Sequence, residues 1–275
     1  MTLALAANLD IVGGGGNAMP IRFRDLAPSA RDALVPYLAR RLCLIPIEVP
    51  GKPIEVGTGA FISVAHRRLV VTCAHVALPF LAVPDGALVV APSHLIPLSR
   101  LSLIHANSDP EVDVALLEVH DSAVPFESFT LHDMSNLVDF TAESFEGRDF
   151  LICGMPGTNV RVRGVEHTAQ PLLFTTEPSS APLATRDHLY AAYPMTFEPD
   201  KAAKFSVELP HPGGLSGSLL FVMPSLLSAP KALWSPELMK IAGIVVRMSA
   251  SRDYLEAVNI ERLREAVTPL LSAAA

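Results

Sequence analysis

A serine lies in the segment His211-Pro-Gly-Gly-Leu-Ser-Gly-Ser218, two residues after Gly214 and one before Gly217, directly ahead of the apolar run Leu219 to Val222. A serine hydroxyl is a poor nucleophile until a neighbouring base takes its proton. The oxyanion formed on attack also needs positioned N–H donors. Glycine at 214 leaves its N–H sterically open and permits backbone angles that a side chain forbids. The N–H groups of Gly214 and Ser216 are the donor pair that this segment offers. The same letters also fit an ordinary Gly/Ser turn between strands, so chemistry at Ser216 requires a base and an acid elsewhere in the chain.

Two upstream segments supply them. Val70-Val-Thr-Cys-Ala-His75 reads as an apolar strand running into a histidine, and Asp113-Val-Ala-Leu-Leu117 as an aspartate at the mouth of another strand. A single histidine or aspartate in such a place is usually structural. Three in the order His, Asp, Ser match one of the known arrangements of a Ser-His-Asp triad. The α/β-hydrolase order puts the histidine after the serine, and no histidine follows Ser216. The subtilisin order needs an aspartate ahead of the histidine, and none of Asp10, Asp25 and Asp32 opens an apolar strand.

The motifs extend beyond the three residues. Gly57-Thr-Gly-Ala-Phe-Ile-Ser-Val64, Thr72-Cys-Ala-His75-Val, Asp113-Val-Ala-Leu-Leu, Phe150-Leu-Ile-Cys-Gly-Met-Pro-Gly157, Gly214-Leu-Ser-Gly-Ser218 and Ile241-Ala-Gly-Ile-Val-Val246 follow one another in sequence. In that order they resemble the trypsin/chymotrypsin-like serine peptidase family, in its bacterial, disulfide-free form, over roughly residues 42–270. The resemblance implies an all-β fold of two six-stranded antiparallel β-barrels, chymotrypsin-like, with a C-terminal helix. It implies a serine endopeptidase acting on protein or peptide substrates through an acyl-enzyme. His75, Asp113 and Ser216 would be catalytic, and the N–H groups of Gly214 and Ser216 the oxyanion hole. The specificity pocket would be floored by Pro210, six residues before the nucleophile, and walled by Val246, Arg247 and Met248. None of the residues at 210–212 can pair with a basic side chain, and burying an unpaired charge is costly. Arg247 is expected to point to solvent, with Glu256 and Asp253 as carboxylates within possible reach. Two other functions use the same residues: a catalytically silent or latent binding module that keeps the fold, and an esterase or amidase.

Rivals for each role are present. Ser218 is a second serine in the turn, without a glycine two residues before it. Asp109 and Glu111 flank Asp113. His66 sits in the polar turn Ala65-His-Arg-Arg68, and His94 and His105 lie in connecting segments. Ile11-Val-Gly-Gly14 matches the freed N-terminus of animal zymogens. The partner aspartate that such an amine needs is replaced here by Leu215, so that activation route is not expected.

Composition bounds the rest. Of 275 residues 50% are apolar and only 18% charged, with a net charge of −7 and a mean hydropathy of +0.36. An acidic chain without a basic stripe disfavours nucleic acid. No apolar run is long enough to span a bilayer, so no membrane partner is expected. Cys43, Cys73 and Cys153 are odd in number and lie in apolar runs, which reads as reduced thiols and a cytoplasmic protein. No C-x-x-C or H-E-x-x-H spacing occurs, and the predicted chemistry needs no cofactor or metal.

The elements needed to position these groups follow from periodicity and breakers. Residues 1–28, which include the glycines 13–16, read as a flexible segment. The first barrel with a leading helix occupies 29–130, and the second barrel with a terminal helix 131–275. The leading helix spans 29–41 with Ser29 as N-cap. Strands are predicted near 43–49, 56–64, 68–73, 87–91, 97–104 and 113–119, then near 149–154, 171–176, 188–196, 204–209, 218–223 and 241–248. The closing helix covers 259–271. An insertion at 223–236 carries the only tryptophan, Trp234, and is a possible partner-docking surface.

Overall fold

Short aliphatic runs punctuated by turns build two antiparallel sheets. The structure is a computed structural model. It describes residues 28–273 apart from 49–50, 52, 91–93, 121–125, 135–148, 158–159, 164–165, 170–171, 180–183, 194–195, 198–206, 209–210, 223–235 and 250–253. The N-terminal segment with its Ile11-Val-Gly-Gly stretch, Pro210, Asp253 and nearly all of the 223–236 insertion with Trp234 therefore lie outside the described residues.

The first half contains α1 (Pro28–Ala39), β1 (Leu42–Ile47), β2 (Glu55–Val64), β3 (Arg67–Thr72), α2 (Ala74–Leu81), β4 (Ala87–Val90), β5 (His94–Pro97), β6 (Leu101–Asn107), β7 (Val114–Val119) and β8 (Phe129–Thr130). The strands run in the order β5-β4-β1-β2-β3-β7-β6, with β8 added parallel to β2. β1 pairs with residues 55–60 of β2, and β8 takes over at Ile62 and Ser63. Changing partner along one strand curls the sheet into a half-barrel. β2 and β3 turn through Ala65 and His66, both at positive φ (50° and 66°), the backbone of a two-residue hairpin turn that suits the twist of its strands. His66 is exposed there, as its polar turn predicts. Pro46 lies in β1 beyond the residues that β4 pairs, Cys43 and Leu44, so its missing N–H costs no bond on that side.

The second half contains β9 (Phe150–Gly154), β10 (Val160–Arg163), β11 (Glu166–Ala169), β12 (Leu172–Thr176), β13 (His188–Ala192), β14 (Thr196–Phe197), β15 (Val207–Glu208), β16 (Leu219–Val222), β17 (Lys240–Ser249), β18 (Tyr254–Asn259) and α3 (Ile260–Ala273). Six of its strands form one curled sheet, β12-β9-β16-β17-β18-β13, while β10–β11 and β14–β15 are separate two-stranded ribbons. Alternate residues point to opposite faces of a strand, and here both faces are buried. Ile152, Leu220 and Val222 join the core of the second sheet. Leu151, Leu219 and Phe221 join the large cluster that contains the first sheet's core. This is why β9 and β16 read as unbroken apolar runs. α3 closes the molecule with Ile260, Leu263 and Val267 buried on its inner face, at the spacing the sequence predicts. The all-β, two-half-barrel architecture with a C-terminal helix is thus the chymotrypsin-like double barrel that was expected, with seven strands on the main path of the first sheet rather than six.

Three local expectations are corrected. α1 begins at Pro28, so Ser29 is inside the first turn and is not its cap; proline suits the first helical position because it lacks an N–H that would go unused there. The apolar run through His75 is not strand to its end. β3 stops at Thr72, and α2 begins at Ala74 with Val76 N–H and Ala77 N–H both donating to the Cys73 carbonyl. β18 falls between the last predicted strand and the closing helix, where no strand was predicted.

Candidate active site

Each candidate residue is placed by a different local device. α2 buries Ala74, Val76, Ala77 and Phe80. That choice of face leaves His75, in its first turn, with a half-exposed imidazole. Asp113 ends a turn that is closed by its own side chains. Asn107 Oδ1 accepts from Asp109 N–H and Asp109 Oδ1 from Glu111 N–H, both at 3.0 Å. The Asp109 carbonyl accepts from Val112 and Asp113 N–H. Asp113 itself has φ +32°, a conformation that a non-glycine residue adopts only when its surroundings over-determine it.

Those surroundings converge on His75. One Asp113 oxygen, Oδ1, accepts from His75 backbone N–H at 3.0 Å, and Oδ2 lies 2.5 Å from His75 Nδ1. Asp113 is buried, with 12% of its side chain exposed. An ionised carboxylate only accepts, so Nδ1 carries the proton and Nε2 presents its lone pair. Asp109, the rival acid, is spent on its own turn. Glu111 reaches instead toward His188.

The Ser216 turn is held by residues far away in sequence. Thr58, fully buried in β2, donates its hydroxyl to the Gly214 carbonyl at 2.9 Å and accepts from Met155 N–H at 2.8 Å. Its backbone N–H donates to the Ser216 carbonyl at 2.8 Å. Thr72 Oγ1, at the end of the strand before His75, donates to the Thr58 carbonyl at 2.7 Å. Gly217 N–H reaches Val245 O in β17. Gly214 and Gly217 both have positive φ, +96° and +87°. A Cβ on Gly217 would lie 1.9 Å from Thr58 O, and one on Gly214 would lie 2.6 Å from Gly157 N. Both positions therefore demand glycine for conformation and for space. The Gly213 carbonyl accepts from Gly157 N–H at 2.6 Å. In a trans peptide the C=O and N–H point opposite ways, so this bond turns the Gly214 N–H away from Gly157.

Ser216 is partly exposed, and its hydroxyl donates to the Val246 carbonyl at 3.2 Å rather than to the imidazole. That carbonyl belongs to the bulge in β17, where pairing with β18 shifts between Val245 and Arg247. Bulges beside functional sites re-aim the strand. Ser218, the rival serine, has no exposed surface. Its hydroxyl presses against Gly154 so closely that a Cβ there would sit 1.7 Å away. It can meet no substrate.

A cavity of about 420 Å³ opens over these groups and is lined by His75, Asp113, Ser216, Val246, Arg247 and Met248, with Ser108, Pro110 and His211 to Gly213 completing it. Arg247 does not simply point to solvent. It grips Glu256 of β18 through Nε and Nη2, at 2.6 and 2.8 Å, and the carboxylate holds its guanidinium above its ordinary pKa. Beneath them His188 of β13, with 5% of its side chain exposed, lies 3.6 Å from Glu256 Oε1 and 3.6 Å from Glu111 Oε2. The loop carrying Asp113 is thereby linked to the second sheet. Sequence reasoning missed Thr58, Thr72, Gly157, His188 and Glu111 in these roles. Thr58, Thr72 and Gly157 stood in motifs that could have pointed to them, whereas no motif marked His188 or Glu111.

In comparisons with known proteins, no family model matches the chain, and no curated protein matches it. Among solved structures it is similar to a serine endoprotease from Yersinia pestis, with 14% identity and a TM-score of 0.51 over 90% of this chain and 68% of that one. It also matches a protease from M. tuberculosis in its active form, with 14% identity and a TM-score of 0.42 over 94% of this chain and 92% of that one. The first likeness establishes the protease-like double-barrel fold.

Proposed function

We propose that this chain is a serine endopeptidase. The observation that carries the reading is the doubly bonded Asp113–His75 pair facing the same cavity as Ser216. In this mechanism Ser216 Oγ rotates from the Val246 carbonyl toward His75 and attacks the scissile carbonyl carbon, while Nε2 takes the hydroxyl proton. Asp113 stabilises the imidazolium so formed and holds the ring. The N–H groups of Gly214 and Ser216 bind the oxyanion. Collapse expels the amine, which takes the proton from Nε2 and leaves an acyl-Ser216. Water, deprotonated by the same nitrogen, then releases the acid. The groups needed are all protein groups. All three cysteines are buried free thiols, which supports a reducing, cytoplasmic setting. No helix among the described residues is long and apolar enough to cross a membrane.

The bond from Ser216 to Val246 O favours a second reading, a latent form in which the serine is parked. A fluorophosphonate probe separates the alternatives. Labelling of the wild type that disappears in Ser216→Ala is the expected result. Undiminished labelling of Ser216→Ala would refute the assignment, and a wild type that never labels would leave the latent or binding module. Digestion of a peptide library, set beside hydrolysis of small esters, separates a peptidase from an esterase.

A further inference from the structure

Cys73 has no part in the mechanism above, yet it stands inside the site. Its Sγ, a ring nitrogen of His75 and a carboxylate oxygen of Asp113 all lie within 4.8 Å of one another. The thiol has no exposed surface and donates to the Val245 carbonyl at 3.3 Å. We propose that Cys73, His75 and Asp113 form a three-ligand site for a borderline-soft divalent cation such as Zn2+, and that filling it switches the site off. The switching half rests on the hydrolase reading; the binding half does not.

The donor chemistry carries the argument. One thiolate, one imidazole and one carboxylate are the ligand types that Zn2+ takes in proteins. Tetrahedral bonds of about 2.3 Å to sulfur and about 2.0–2.2 Å to nitrogen and oxygen place ligand atoms roughly 3.3–3.6 Å apart. The Nδ1 to Oδ2 distance of 2.5 Å must therefore open by about 1 Å, and any separation near the 4.8 Å limit must close by about as much. The half-exposed His75 ring can supply the part of that movement that involves its own nitrogen. Water from the cavity, or the Val245 carbonyl, completes the fourth position.

Charge balance agrees. A thiolate and a carboxylate brought together repel one another, and a dication between them reverses the sign of that interaction. On binding, the thiol proton leaves to solvent and the imidazole proton moves from Nδ1 to Nε2. The cation, the thiolate and the carboxylate then sum to zero charge. Nε2 now carries a proton and can no longer accept one from Ser216, which is why occupation silences the site.

The test uses the full chain after chelator treatment. Co2+ is titrated while the thiolate-to-cobalt charge-transfer absorption is followed, then displaced with Zn2+, in wild type, Cys73→Ala and Cys73→Ser. Fluorophosphonate labelling is run with and without Zn2+. Removal of even an outer-sphere partner costs about 10–100-fold in metal affinity, so loss of the thiolate should cost more than about 100-fold. One equivalent with a charge-transfer band in the wild type, lost in both variants, is the expected result. Zn2+ should slow labelling of the wild type only. Zn2+ affinity unchanged in whichever variant keeps the wild-type circular dichroism, or a cobalt band that survives in it, would overturn the site. A wild type that shows the band but never labels would sink the hydrolase reading and leave the site standing.

Discussion

Replacing Thr58 by valine tests the brace that ties the first sheet to the Ser216 turn. Valine keeps the shape but removes the hydroxyl that donates to Gly214 O and accepts from Met155 N–H. Thr58 has no exposed surface, so water cannot replace either bond. Each orphaned buried backbone group costs about 1–3 kcal/mol, which makes about 2–6 kcal/mol for the pair. At about 2–4 °C per kcal/mol for a chain of this size, the melting temperature should fall by about 4–24 °C. Thr58→Ser keeps the oxygen and loses one methyl, worth about 1 kcal/mol. The backbone bond from Thr58 N–H to Ser216 O survives both changes, so the turn should loosen at Gly214 more than at Ser216. Thermal unfolding by circular dichroism gives the stability order wild type, Ser, Val. If the Gly214 N–H serves as the proposed oxyanion donor, the fluorophosphonate labelling rate should fall in the valine variant and be largely kept in the serine one. Equal melting temperatures for the valine and serine variants would refute the claim that the hydroxyl is a structural bridge.

Asp113→Asn should fold normally and lose activity by about 10⁴-fold. Its amide oxygen can keep the bond from His75 N–H, which leaves the NH2 facing Nδ1 and forces the imidazole proton to Nε2; a near-wild-type peptide hydrolysis rate would move the acid elsewhere. The three cysteines should resist a disulfide exchange reagent in the native state and all react on unfolding. Burial raises the Cys153 thiol from 9.0 to about 12 and raises Cys43 and Cys73 as well. Stability from the neutral thiols is therefore full below pH 9 and is lost as pH rises toward about 12, because the unfolded chain sheds protons first; denaturant midpoints that rise across that window would contradict the burial. Cleavage-site profiling should show no preference for Lys or Arg at the residue before the scissile bond, since the Glu256 carboxylate beside the Val246–Met248 wall is already taken by Arg247; dominant cleavage after basic residues would overturn this.

Much of the protein was legible in its letters. Aliphatic runs of four to ten residues separated by turn formers encode strands locally, and the 3.6-residue spacing of Ile260, Leu263 and Val267 encodes a helix, so the all-β class and α3 could be read directly. Gly214 and Gly217 announce a turn that no side chain can follow, and the order His75, Asp113, Ser216 is the sequence signal behind the proposed chemistry. Boundaries set by competition between local structures were not legible. An apolar run containing Val70, Val71 and Val76 looks the same to a strand and to a strand that breaks into a helix, and the Cys73 carbonyl decided between them by accepting two N–H groups. Nor was the support of the site legible. Thr58 and Gly214 are 156 residues apart, Cys73 and Val245 are 172 apart, and Glu111 and His188 meet only because two sheets close on one another. Sequence spacing carries information about neighbours along the chain through the periods of helix and strand. Contacts across it depend on register and on which faces are buried together, and these are settled only when the whole core packs.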